Sequence, residues 1–318
     1  MQESQEYDVN AQDGTRLWYQ TLGQGPVTLV LCDGVGCAGY IWKYVIPHFK
    51  ASFRILHAQY RGHGRSAVPK DINTMSVEQL AEDLSLIINS AAATGPLVLL
   101  GHSMGVQVAL EYYSRHPGRV SALVLINGPF EHALRHVHST KLFARALPFV
   151  RFAIKRWESQ VDAYWQPWLD SELSYLIALI FEVNPLLTKR RDFRPYFKEL
   201  GAIDPNAFFT AVAHAEKHSA RHVLPMIKVP ILVVASERDR FTPFSVMKEL
   251  VELLPQAETL VLQGASHIGP LERPELLNTR METFLKGANL QLWCAKDSPA
   301  GNQVHQSNSD NIDLAPLG

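Results

Sequence analysis

The sequence predicts an α/β fold: a doubly wound, mostly parallel sheet of about eight strands, interrupted late in its order by an inserted helical lid. Three observations carry this. Six short segments of aliphatic and β-branched residues recur at 27–34, 53–60, 96–103, 120–128, 230–237 and 257–264, nearly all apolar, as strands buried on both faces of a parallel sheet are. Segments with helical spacing lie between them, and strand–helix–strand order implies right-handed crossovers. The alternation then stops from 131 to 222, where no strand-like run occurs, and resumes at Pro230.

Taken in order, two more polar strands come first, around Tyr7–Val9 and Leu17–Tyr19. Asp13–Gly14 between them is a hairpin signal, which predicts an antiparallel edge. After the second buried strand, Ser76 precedes Gln79 by three residues, the spacing of a capping box. Val77, Leu80, Leu84, Ile87 and Ile88 then recur at three- and four-residue steps, so a helix is expected over 76–92. The 96–103 strand runs directly into a second helix, MGVQVALEYYSRH.

The inserted stretch reads as helices at 133–146, 149–166, 171–183 and 205–219. It holds 14 of the 30 aromatic residues. Most must glue the helices together, yet a layer over a sheet edge also creates an apolar cleft, so Trp157, Trp165 and Trp168 are candidates to line it. Arg135, His136, His138 and the run Lys189–Arg191 read as a solvated lid face. The expected organisation is therefore a core in two parts, 1–130 and 223–287, a lid over 131–222, and a tail over 288–318 that is mobile by composition. Leu290, Leu292 and Trp293 are expected to pin the start of that tail.

Composition narrows the partner. Thirty Lys and Arg against 31 Asp and Glu leave a formal charge of −1, so no global field draws the chain to nucleic acid or anionic lipid. A small, roughly neutral molecule is the default ligand. The longest continuous apolar run, Tyr175–Phe181, is too short for a membrane span, which takes about 20 residues. The polar N-terminus does not read as a secretory signal, and Cys32, Cys37 and Cys294 are too few and too unpaired for a disulfide framework. Free thiols and a cytoplasmic location are the expectation. The oligomeric state stays open, a homodimer included.

The chemistry concentrates at Gly101-His102-Ser103-Met104-Gly105, which matches G-x-S-x-G where a strand turns into a helix. A serine on so sharp a turn needs strained dihedrals, and small residues two positions to either side let the backbone fold back. The helix that begins there points its unpaired N–H groups at any negative charge developing beside Ser103. A hydroxyl still needs a base, and the base an orienting acid. His267 follows the 257–264 strand and Asp239 the 230–237 strand, both in loops beyond carboxyl ends, where open α/β sheets form their sites. Glu237 is an alternative acid, and Asp239 could instead cap the helix that starts near Pro243. His102 is expected to be packing or pocket wall, and His63 to bond locally in its own turn.

These residues give the chain a family resemblance. GHSMG, ASERDRFTP, GASHIGPLERP and the turn Tyr60-Arg61-Gly62-His63-Gly64-Arg65-Ser66 resemble the α/β-hydrolase superfamily in its capped, esterase-like branch, over roughly residues 6–286. The resemblance implies Ser103 as nucleophile, His267 as general base and then acid, and Asp239 as its partner. It also implies an oxyanion hole of two backbone donors, each worth about 3 kcal/mol of barrier: Met104 N–H and, in the loop after the first buried strand, Val35 N–H. There the sequence departs from the family, which usually has His-Gly where this chain has Asp33-Gly34. A carboxylate aimed at the hole would repel an oxyanion, so Asp33 must turn away and be paired, or be neutral.

No phosphate loop, dinucleotide fingerprint or metal motif occurs, so cofactor-free catalysis is expected. The activity implied is ester hydrolysis on a small to medium apolar group through an acyl-enzyme. Carbon–carbon bond hydrolysis, lactone opening and perhydrolysis use the same triad in similar proteins. A ligand-binding receptor with slow turnover is the alternative from another class. Ser103 excludes the epoxide-hydrolase and dehalogenase branches, which place aspartate there.

Overall fold

A computed structural model describes residues 4–134, 140–181 and 183–288. Eight strands form one sheet in the order β1-β2-β4-β3-β5-β6-β7-β8: β1 Gln5–Asn10, β2 Arg16–Leu22, β3 Thr28–Cys32, β4 Arg54–Ala58, β5 Leu97–His102, β6 Val120–Ile126, β7 Ile231–Ser236 and β8 Glu258–Leu262. β1, β2 and β4 pair antiparallel and every other neighbour is parallel, so the expected antiparallel edge is the N-terminal hairpin. Its turn closes through Gly14 N–H to the Ala11 carbonyl (2.9 Å), with Gly14 at φ 82°.

The helices are α1 Val45–Phe49, α2 Val77–Ser90, α3 Met104–Arg115, α4 Thr140–Arg156, α5 Glu158–Leu169, α6 Glu172–Phe181, α7 Arg190–Gly201, α8 Pro205–Lys217, α9 Phe244–Leu253, α10 Gly269–Glu272 and α11 Pro274–Gly287. Alternation along the buried strands sends side chains to opposite faces. Val30, Cys32, Leu97 and Leu99 pack with α2, α3 and α9, whereas Leu29, Leu31, Val98 and Leu100 pack with α1 and α11. β3, β5 and β7 are buried throughout, but β8 is partly exposed along most of its length. The expectation of two-sided burial fails there because β8 is the outer strand.

α2 begins as its spacing predicts, Ser76 Oγ accepting from Gln79 N–H at 3.2 Å. The return half of the box is not made, because the Gln79 amide donates to Asp83 instead.

Between β6 and β7 the chain forms α4 to α8. Two of these differ from the periodicity reading. α4 continues through Pro148 and ends at Arg156, so the expected break near 147 lies ten residues later. A proline removes one backbone donor, and burial of Leu147 and Ile154 on either side holds the helix across it. α7 falls where no helix is expected: Lys189, Arg190 and Arg191 are exposed, as a solvated face is, yet Phe193, Phe197 and Leu200 are buried along it. Pro195 and the dense charge of Arg190, Arg191, Asp192 and Arg194 hide its three- and four-residue apolar steps. Arg135, His136 and His138, and the tail with Leu290, Leu292, Trp293 and Cys294, lie outside the described residues. Cys32 and Cys37 are buried free thiols. No helix among the described residues is long and apolar enough to cross a membrane.

Candidate active site

Ser103 sits between β5 and α3 with φ 55° and ψ −125°, a conformation that β-carbon sterics disfavour and that only a surrounding structure can impose. Two glycines permit it. A β-carbon on Gly105 would stand 2.0 Å from the Cys32 carbonyl oxygen, and one on Gly101 2.5 Å from that of Gly105. The hydroxyl-bearing residue is thus lifted off the end of β5 while α3 is drawn against β3.

His267 and Asp239 come together from the loops after β8 and β7. His267 Nδ1 donates to Asp239 Oδ2 at 2.8 Å, and Asp239 Oδ1 accepts from the N–H groups of Phe241 and Thr242, each at 2.8 Å. Both carboxylate oxygens are therefore committed, one to its own turn and one to the imidazole. This tautomer leaves Nε2 as the free basic nitrogen. Asp239 makes no cap contact on α9. Glu237 turns instead to Gly264 N–H.

The imidazole loop is braced from three sides. Asn127, at the end of β6 with φ 46°, donates to the His267 carbonyl at 3.1 Å and to Ser236 Oγ at 2.8 Å. His102 Nε2 donates to the same carbonyl at 3.0 Å, and burial, followed by the neighbouring His267 ring, pushes its pKa down to about 3. It is a neutral strut. Buried Glu272 accepts from Ser266 N–H at 2.6 Å and from Asn184 N–H at 3.0 Å. The sequence signal is Glu272 itself, a carboxylate directly after the apolar run Ile268–Leu271. His63, as expected, bonds within its turn, Nδ1 lying 3.1 Å from the Arg61 carbonyl.

Ser103, His267, Val35 and Met104 line one cavity of about 370 Å³. Met104 is the first residue of α3, where an N–H has no intrahelical acceptor. Gly34 brings the loop of Val35 up to the serine; a β-carbon there would be 3.0 Å from Ser103 Cβ.

Asp33, the departure from the family pattern, turns away from the cavity and is fully buried. It accepts from Trp42 Nε1 at 2.5 Å and His57 Nε2 at 2.8 Å. Burial opposes a charge on His57, but the Asp33 carboxylate outweighs it and raises the imidazole above its usual range. Pairing is the alternative realised. Glu199 of α7 extends this network, accepting from the N–H groups of Ala38 and Tyr40; burial is the main cause that lifts its pKa to about 7.

The cavity roof comes from the helices between β6 and β7: Phe193, Tyr196 and Leu200 of α7, with Phe208, Phe209 and Val212 of α8. The three tryptophans expected there are elsewhere. Trp157 and Trp168 are about half exposed: Trp157 is the residue before α5, and Trp168 lies one turn after exposed Tyr164 on the outer side of that helix. Trp165 stands behind the roof, its ring centroid 6.1 Å from that of Phe208 and its Nε1 donating to the Leu200 carbonyl.

Residues 27–274 match the family model described as alpha/beta hydrolase fold. The chain is 25% identical over 277 residues to the uncharacterized hydrolase YugF of Bacillus subtilis, covering 86% of this chain and 96% of that protein. Among solved structures it resembles a thermophilic esterase from Thermogutta terrifontis, with a TM-score of 0.72, 21% identity and coverage of 89% and 99% of the two chains. An enol-lactonase from Burkholderia xenovorans is similar at a TM-score of 0.70, with 22% identity and coverage of 86% and 97%. At these identities the structural likenesses speak to the fold.

Proposed function

Because the chain belongs to the alpha/beta hydrolase fold family, we propose that it is a serine hydrolase that cleaves carboxylic esters of small to medium apolar groups through an acyl-enzyme. Ser103 attacks the carbonyl while His267 Nε2 accepts its proton and returns it to the leaving alkoxide. Asp239 fixes the imidazole tautomer and stabilises the imidazolium that forms. The N–H groups of Met104 and Val35 hold the oxyanion, and water activated by the same histidine releases the acid.

The observation that carries this reading is the 2.8 Å bond from His267 to Asp239, at the wall of a cavity that also holds a positive-φ serine. The apolar roof supports an apolar substrate, and α4 to α8 are taken as the lid. A fluorophosphonate should label Ser103 and abolish hydrolysis of p-nitrophenyl esters, with rates rising from acetate to medium chains. Ser103→Ala should be inert across esters, lactones and diketones. An unlabelled Ser103 in a protein that binds but does not turn over these compounds would favour a receptor.

A further inference from the structure

A second cleft of about 370 Å³ lies away from Ser103, between α4, the turn at 72–74 and the start of α8. It is lined by Ile72, Asn73, Pro148, Arg151, Phe152, Lys155 and Asn206. Arg151 Nε is buried with no acceptor among the described residues, and a buried guanidinium donor is costly to leave unpaired. Lys155 adds a second cation, one helical turn along. The carboxylates nearest in sequence are turned to their own caps: Asp71 to the N–H of Asn73, Asp204 to that of Ala207. Two cations, two amide side chains and no lining carboxylate give the cleft a lining complementary to an anion.

The rim of the cleft is apolar and exposed. Phe149 and Phe152 are 75% and 70% accessible, while Leu147 on the opposite side of α4 is buried against Val212 and Ala213 of α8. Steps of four, three and four place Arg145, Phe149, Phe152 and Arg156 on one outward stripe, and none of Arg145, Lys155 and Arg156 forms an ion pair among the described residues. Between Glu131 and Glu158 the sequence holds six Lys and Arg and no Asp or Glu. A basic helix with exposed aromatics is the composition of a helix that lies in a bilayer surface. Global neutrality hides this, because the acids that balance the charge lie on other elements.

We propose that the outer face of α4 docks on anionic phospholipid, Arg151 and Lys155 holding a headgroup phosphate in the cleft while Phe149 and Phe152 enter the acyl boundary. The docking does not depend on the reaction at Ser103.

Flotation of the full chain with vesicles tests it. Binding is expected to vesicles of phosphatidylcholine mixed with phosphatidylglycerol, weakening with salt, and not to phosphatidylcholine alone. Arg151→Gln with Lys155→Gln should weaken it ~25-fold, at about fivefold per cation. Since Arg151 is partly buried, the exposed pair Arg145→Gln and Arg156→Gln serves as a second variant that leaves the packing alone and should weaken binding similarly. Phe149→Ser with Phe152→Ser should release the chain. Equal binding to both vesicle types, or no loss in the charge variants, would overturn the proposal. So would thermal stabilisation by soluble glycerol phosphate without vesicle binding, which would make the ligand a free phosphate ester. A dimer in solution that Phe149→Ser dissociates would identify a second copy as the occupant and overturn it too.

Discussion

The Glu199 carboxylate, on α7, accepts the backbone N–H of Ala38 at 2.5 Å across 161 residues of sequence. That bond, with the one from Tyr40 at 3.1 Å, ties the roof of the cavity to the loop that carries Val35. Leu200, the next residue, and Phe208 approach Gly36 so closely that a β-carbon there would be 3.0 and 3.1 Å from them. The roof and the loop beside the serine are thereby joined both by hydrogen bonds and by close packing.

A pH dependence of stability follows. Burial, first among its causes, raises the Glu199 pKa from 4.5 to about 7, with Asp33 adding to the rise and His57 and the two N–H groups opposing it. The folded state holds the proton more tightly than the unfolded one. Stability from this group is thus fully present below pH 4.5 and is lost as pH rises toward about 7, with a slope of up to ~1.4 kcal/mol per pH unit. Urea unfolding of wild type and Glu199→Gln across this range should show the slope flattened in the variant; parallel curves would remove Glu199 as its source.

Asp33 and His57 are a buried pair, with side-chain exposures of 0% and 2%. Asp33→Ala strands the imidazole and the Trp42 N–H, and should cost about 3–5 kcal/mol, as loss of one partner of a buried pair does. The double change Asp33→Leu with His57→Phe should recover part of that. A single substitution costing under ~1 kcal/mol by chemical denaturation would mean the pair is not closed in solution.

Asp239→Asn keeps an oxygen for the N–H groups of Phe241 and Thr242 and should fold normally. Its amide nitrogen would face His267 Nδ1, however, forcing the proton to Nε2 and removing the base. Ester hydrolysis should fall on the order of 10⁴-fold in kcat with KM little changed. Retention of a tenth or more of the activity would transfer the orienting role to another group.

Cys32 and Cys37 are buried, and burial, reinforced by Asp33, pushes both thiols well above their ordinary range. Thiolate is the reactive form. Peptide mapping after iodoacetamide treatment of the folded chain should find both unmodified and, after denaturation, both alkylated. Native modification of Cys37, which lines the cavity beside Ser103, would mean that the reagent enters the cavity and finds a thiolate there.

Legible in the sequence were the succession of strands and helices along the chain, the elbow around Ser103 and the strand ends that bear Asp239 and His267. Each is written in contiguous residues: apolar runs, small residues flanking a serine, loops that follow a strand. Tertiary structure alone decided which aromatics face the cavity, that Asp33 takes His57 and Trp42 as partners, and that Glu199 reaches the loop after β3. Burial is non-directional, so composition says that Trp165 and Phe208 leave water but not which of them reaches the cavity. A buried charge must likewise find a partner, and the chain chose one that packing, not spacing, brought near.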